Sequence, residues 1–218
     1  MKSVVLFDVD NTLLDGYSQQ IFLKYAFKKG LIKKWPYIKI NLWFGLYKLN
    51  IIKDPKPIME YAYRFARDWS KSDMRKLISD FFNDSLGKTV FRDARTIIRE
   101  HGKSGKLVVL VSNSVEPILE KLAEDLGLRH YLGTKLELVD GHYTGKISGD
   151  IIYGQHKPPY LKKYLAEHKM TLDDSWCYSD HISDLPLFNL CNHCVAVNPS
   201  KKLLSHALKE GWKVMLFN

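Results

Sequence analysis

Long apolar runs are missing from this chain. The longest uncharged apolar stretch, residues 40–47, is far too short to cross a bilayer. No export signal is read at the start, because Lys2 is followed only by Val4, Val5, Leu6 and Phe7 before Asp8 interrupts. Cysteine is scarce: three, at 177, 191 and 194, an odd count that excludes a disulfide scaffold and fits free thiols in a reducing cytoplasm. Cys191-Asn192-His193-Cys194 looks like half of a zinc site, but no second Cys/His pair stands at zinc spacing, so these residues are read as packing. Internal repeats and low-complexity tracts are absent too, which sets aside fibrous and disordered classes.

Acidic residues are missing from one region in particular. Residues 21–56 hold nine lysines (24, 28, 29, 33, 34, 39, 48, 53 and 56) and eight aromatics, against the single acid Asp54. That segment carries +8 of the formal net charge of +9, so the rest is close to neutral. Such a local field speaks of partners and not of fold. It has two accounts: a solvated basic face over a helical core, or peripheral contact with an anionic membrane, with Trp35, Tyr37, Trp43, Phe44 and Tyr47 as candidate anchors. Nucleic acid is not an expected partner.

What is present is an ordinary globular composition, 45% hydrophobic and 26% charged over 218 residues, enough for one domain with a sizeable insertion. Short apolar runs at residues 1–7, 106–111, 176–178, 195–197 and 214–217 read as buried strands. Asp140-Gly141 reads as a hairpin turn. Helical spacing over 91–101 and 117–127, and a helix capped by Ser200, alternate with these strands. The pattern predicts an α/β fold with a parallel sheet covered on both faces. Residues 15–86 break the alternation with helical patterns at 20–29, 38–49, 58–69 and 73–82, and are read as an inserted helical cap.

Chemistry concentrates where strands end. Asp8 and Asp10 close the first strand, and ligands of parallel sheets bind at that end. One of two such carboxylates can attack or hold a metal while the other moves a proton. An Asp/Asn-rich turn is the structural alternative. Ser112-Asn113-Ser114 follows the second buried strand and precedes Glu116-Pro117, as an anion cradle or a plain N-cap. Lys157 stands in a loop beside His156, which reads either as a surface histidine or as a base. Asp180 and Asp184 follow the third core strand, as hard oxygen ligands for magnesium or as a helix-capping loop. In this order the four elements supply what phosphoryl transfer needs.

These residues resemble the haloacid dehalogenase-like superfamily, in the branch around phosphoserine phosphatase. Asp8-Val9-Asp10-Asn11-Thr12 is similar to its first motif, Ser112 to its second, Lys157 to its third and Asp180 to Asp184 to its fourth. Gly133-Thr134, Thr144-Gly145 and Asn198-Pro199 add to the likeness. The resemblance implies a Rossmann-like core of residues 1–14 and 87–218, with 15–86 as the cap. It implies Asp8 as nucleophile and Asp10 as acid and base, with Mg2+ held by Asp8, the Asp10 carbonyl and Asp180. Ser112, Asn113 and Lys157 would bind phosphate, and Thr12 and Asp184 would support the site. An acid at the place of Asp10 marks phosphatases and phosphomutases within the superfamily, so a phosphorylated small molecule is the expected substrate. Phosphoserine phosphatases carry a glutamate nine residues past the nucleophile; here Tyr17 stands there, and His181 and Ser183 depart from the fourth motif. Phosphoserine is therefore not the expected substrate. A lipid phosphate at a membrane surface, or a non-catalytic phosphate-binding module, are the alternatives.

Overall fold

The computed structural model describes residues 2–48, 51–52 and 54–218. Its strands are β1 (Lys2–Phe7), β2 (Leu107–Val115), β3 (His130–Val139), β4 (His142–Ser148), β5 (Met170–Ser179), β6 (His193–Val197) and β7 (Lys213–Met215). They form one sheet in the order β4-β3-β2-β1-β5-β6-β7, parallel except for the β3–β4 hairpin across Asp140-Gly141. Both residues of that turn have positive φ, the backbone such a tight hairpin demands. β1 lies at the centre between β2 and β5, with Phe7 level with Leu110 on one side and Tyr178 on the other. Chain direction across the sheet reverses there, which opens a crevice at the strands' carboxyl ends.

The strand side chains explain why this sheet is covered twice. Val4 and Leu6 face one apolar cluster while Val5 and Phe7 face another, and all four are fully buried. Helices α5 (Arg92–Lys103) and α6 (Glu116–Asp125) cover the second face through Ala94, Ile98, Ile118 and Leu122. α7 (Lys157–Glu167), α8 (Leu185–Phe188) and α9 (Lys201–Lys209) cover the first through Leu161, Leu165, Leu187 and Leu203.

Between β1 and β2 the chain makes α1 (Ser18–Lys28), α2 (Lys34–Lys48), α3 (Lys56–Tyr63) and α4 (Lys71–Asp84). The insertion is closed at its base by Asp15 N–H donating to Thr89 O and Phe91 N–H to Leu13 O. Its interior, including Phe22, Tyr63, Met74 and Phe81, is continuous with the cluster under Val5 and Phe7.

Several boundaries differ from the sequence reading. α2 begins at Lys34, four residues before the expected start, because Pro36 in the first turn needs no hydrogen-bonded N–H. The expected end at 49 lies outside the described residues, as do 50 and 53. The helix read over 58–69 ends at Tyr63 and tightens into a 3₁₀ turn, Arg64–Ala66. Asp68 then takes a positive φ and its N–H reaches Tyr143 O, tying the insertion to β4. α4 starts at Lys71 because Ser70 and Asp73 form a reciprocal capping box. Ser200 holds the N-cap position of α9, but its hydroxyl makes no capping bond. The last strand stops at Met215, and Phe217 N–H turns aside to Asn198 Oδ1.

Candidate active site

The crevice at the switch point gathers the acids. Lys157 Nζ donates to Asp8 Oδ1 at 2.8 Å and lies 2.8 and 2.9 Å from the two carboxylate oxygens of Asp184. Asp184 also accepts from the buried Ser179 hydroxyl at 2.7 Å. It therefore does not cap α8, whose first turn has no side-chain bond. Thr12 Oγ1 donates to the other oxygen of Asp8 at 3.2 Å. Asp8 keeps 11% of its side chain exposed against 3% for Lys157, so its one open side is the crevice. Pro158 and Pro159 in the first turn of α7 cost no hydrogen bonds and fix where Lys157 enters.

Asp10 is held from the insertion. Ser18 N–H, in the first turn of α1, donates to Asp10 Oδ1 at 2.8 Å. The Ser18 hydroxyl reaches Ser114 Oγ at 3.1 Å, and Ser114 N–H reaches Ser112 Oγ at 3.1 Å. A chain of short bonds thus runs from Asp10 to β2. Ser112 and Asn113 were expected at a helix start, but the structure keeps β2 extended through Val115 and begins α6 at Glu116. Neither serine caps that helix; the N-cap position falls to Val115, with no side-chain bond. The Asn113 carbonyl accepts from Gln19 Nε2 at 3.2 Å and Thr134 Oγ1 at 2.9 Å.

Asp180 sits two residues beyond the Phe7–Tyr178 register, beside Asp8. His181 Nδ1 is engaged with Ser183, by the N–H at 3.2 Å and the hydroxyl at 2.9 Å. His156 lies half-exposed, 3.9 Å from Asp150, outside this network. Cys177, Cys191 and Cys194 are free thiols.

Electrostatics in the crevice are unbalanced. Burial raises Asp8 to about 7, opposed by Lys157 and reinforced by Asp184 and Asp10. Burial, then Asp8 and Asp184, raise Asp180 to about 8, and burial also raises Asp10. Burial opposes the charge on Lys157, but Asp184 and Asp8 outweigh it and raise its pKa. Four carboxylates thus share the one buried cation among the described residues. The donors are all hard oxygens, the set that suits magnesium and not zinc. Among the described residues no three Asp, Glu, His or Cys side chains form an all-protein metal cage. Magnesium does not need one, since it takes one or two carboxylates and leaves the rest to water and phosphate.

Three contributors were not singled out from sequence, Ser18, Gln19 and Ser179, and Ser114 was read only as part of the Ser112-Asn113-Ser114 cradle. Serines and glutamines are too common to carry a signal alone. Only their neighbours, Tyr17 before Ser18 and Asp180 after Ser179, pointed near them.

A doubly wound sheet with acids and a buried lysine at its switch point defines an α/β protein whose ligand crevice lies outside the carboxyl ends of the strands. The model of the haloacid dehalogenase-like hydrolase family matches residues 5–189, and the chain belongs to that family. It is 27% identical over 219 residues to a probable phosphatase of Mycobacterium tuberculosis, covering all of this chain and 76% of that one. It is 29% identical over 221 residues to a histidinol-phosphatase of Neisseria meningitidis, with both chains fully covered. Among solved structures, a Bordetella pertussis protein of unknown function superposes with a TM-score of 0.89 at 24% identity, covering 99% of each chain. A substrate-bound phosphoserine phosphatase superposes at 0.66 and 19% identity, over 99% of this chain and 93% of that one. These two likenesses concern the fold. Family and relatives together make this an enzyme of the phosphatase kind.

Proposed function

We propose that the enzyme is a magnesium-dependent phosphate monoester hydrolase working through an aspartyl-phosphate on Asp8. The observation that carries this reading is the Lys157 ammonium held between Asp8 and Asp184 at the mouth of the central strand. It offsets negative charge on the attacking carboxylate and leaves a cationic edge for the incoming phosphate. Thr12 and Lys157 each donate to one oxygen of Asp8 and so fix the orientation in which the carboxylate attacks phosphorus. The raised pKa of Asp10 suits a group that first gives a proton to the leaving oxygen and then takes one from water. Ser18 N–H orients it for both tasks. Ser112 and Asn113 line the β2 side of the crevice as phosphate donors, and Asp184 positions Lys157.

Asp8, Asp180 and the Asp10 carbonyl would hold magnesium, which neutralises the crowded carboxylates and polarises the phosphate. Residues 15–86 act as the cap over residues 1–14 and 87–218. The substrate is a small phosphorylated metabolite other than phosphoserine, handled in the cytoplasm.

A second reading, a lipid phosphate at an anionic membrane, is favoured by one face of α2. Trp35, Ile38 and Leu42, at helical spacing, are 80%, 44% and 61% exposed. Tyr37, Trp43, Phe44 and Tyr47, grouped with Trp35 from sequence, pack inward instead. At the foot of α2 lies a hollow of about 560 Å3 edged by Lys33, Arg64 and Arg67, which contains none of the catalytic candidates. No helix among the described residues is long and apolar enough to cross a membrane.

The test is phosphate release from a panel of monoesters with magnesium, with excess chelator, and in Asp8→Asn. We expect chelator to stop turnover and the variant to lose at least roughly 10⁴-fold with an unchanged melting temperature. Retained activity in a folded Asp8→Asn would rule this mechanism out.

A further inference from the structure

We infer that the cavity beside Asp10 receives an uncharged, apolar or aromatic leaving group, so the substrate is the phosphate ester of a neutral alcohol. This rests on the phosphatase reading and names the substrate class of that site. Three elements build the cavity: Phe44 and Tyr47 from α2, Ile58 and Met59 from α3, and Ile151 and Tyr153 from the loop before α7. Among the described residues, Asp10 is the only charged one lining it. Gln19 also reaches it, but its amide is engaged by the Asn113 carbonyl at 3.2 Å and Met59 Sδ at 3.8 Å. Tyr47 and Tyr153 meet edge to face with ring centroids 6.3 Å apart. Burial and then Tyr153 raise the Tyr47 pKa, so it remains a neutral phenol.

The chemistry of this lining is selective. A charged leaving group would give up its hydration here: among the described lining residues an ammonium would meet only Asp10, and a carboxylate would meet no opposite charge. A neutral alkyl or aryl group meets a mostly apolar and aromatic wall, with Gln19 and Asn113 as its neutral polar edge. The cavity is narrow, about 40 Å3, or room for about three waters. A larger group must therefore displace the α2 wall, whose outer face is exposed.

The experiment compares kcat/KM for n-butyl and phenyl phosphate with phosphoethanolamine, phosphoserine and histidinol phosphate. Butyl phosphate and phosphoethanolamine are both esters of primary alcohols, so their contrast reports mainly the charge. We expect the neutral esters to lead by about 100-fold. Ile151→Glu should narrow or reverse that ratio by giving the ammonium a partner. If that variant does not fold, Phe44→Ala should slow the neutral esters more than phosphoethanolamine and so narrow their ratio. Calorimetric binding of phenyl phosphate and phosphoserine to Asp8→Asn tests the cavity without turnover. Hydrolysis that favours the amine-bearing esters overturns this inference and leaves the phosphatase reading standing. Absence of any hydrolysis overturns that reading, and the binding arm then decides: equal or stronger binding of phosphoserine sinks the cavity assignment too.

Discussion

Two charged regions of this molecule behave in opposite ways. At the carboxyl edge of the sheet, Asp8, Asp10, Asp180 and Asp184 crowd around Lys157 in a crevice nearly closed to water. Along the insertion, lysines outnumber acids nine to one over residues 21–56, and many stand in solvent. Their contacts lie at the surface: Lys39 is 4.5 Å from the Trp43 ring centroid, and Lys29 is 5.1 Å from that of Tyr25 and 3.3 Å from the half-exposed Asp84 carboxylate. Burial makes the difference. Charges at the sheet edge shift one another's pKa values, whereas exposed charges are screened within about 10 Å at 0.1 M salt. The first region can do chemistry on one small group, and the second can only attract broadly.

Among substitutions of lysine, the largest effect should come from removing the cation that the buried acids share. Lys157→Ala leaves Asp8 and Asp184 facing each other without compensation, and breaking a buried ion pair costs about 3–5 kcal/mol. We expect activity to fall roughly 10³-fold, by analogy with the loss of one preorganised donor, alongside a clear fall in the urea midpoint. Substituting exposed Lys24 or Lys34 should change neither measurably. Equal effects at buried and exposed lysines would erase the contrast.

A smaller effect concerns pH and metal. Asp8 and Asp180, near 7 and 8 when folded, bind protons more tightly than in the unfolded chain, where the ordinary value is 3.8. Their contribution to stability is therefore fully present below about pH 4 and is lost as pH rises through about 7 to 8. Magnesium acting on the ionised pair opposes that loss. At 100 times its dissociation constant a ligand adds about 2.7 kcal/mol, or roughly 5 to 10 °C for a chain of this size. Thermal melts should show that rise at pH 8 and a much smaller one at pH 5, where protons compete. A rise that is equal at both pH values would mean that the metal binds elsewhere.

The two regions were also unequally legible from sequence. Asp8, Asp10, Lys157, Asp180 and Asp184 stood out because acids beside apolar strands are unusual and their order along the chain is restrictive. Their hydroxyl partners Ser18, Ser114 and Ser179 carry no such mark, and contact across 96 residues, as between Ser18 and Ser114, has no local pattern. The break after Tyr63 was hidden because apolar spacing continues through Phe65 and Trp69, while the positive φ of Asp68 comes from tertiary pairing with β4. In α2 both faces are apolar, so periodicity could not say which aromatics turn outward. Packing against Tyr61 and Tyr153 decides it: Trp43 and Tyr47 go in, and Trp35 stays out.

The weakest expected effect tests whether that outward face does anything. Trp35, Ile38 and Leu42 form an exposed apolar stripe, and Lys33, Lys34 and Lys39 around it are exposed as well. A helix of this character lies in an interface plane, with its apolar side in the headgroup boundary and its lysines toward anionic lipid. Each such lysine contributes about 1 kcal/mol near an anionic surface, so three or four give measurable but weak binding. The attraction must fade as salt rises, because the field is screened over about 8 Å at physiological ionic strength. We expect co-sedimentation with vesicles containing phosphatidylserine at low salt, little with neutral phosphatidylcholine, and loss of the difference in 0.5 M salt. Trp35→Ala should weaken binding to anionic vesicles without changing the hydrolysis of a soluble ester, since Trp35 lies outside the catalytic crevice. Equal partition onto both kinds of vesicle at low salt would leave the lysines as solvated charge and remove the support for a lipid substrate. The chemistry at Asp8 would be untouched, and the cavity between α2 and α3 would then serve a soluble alcohol.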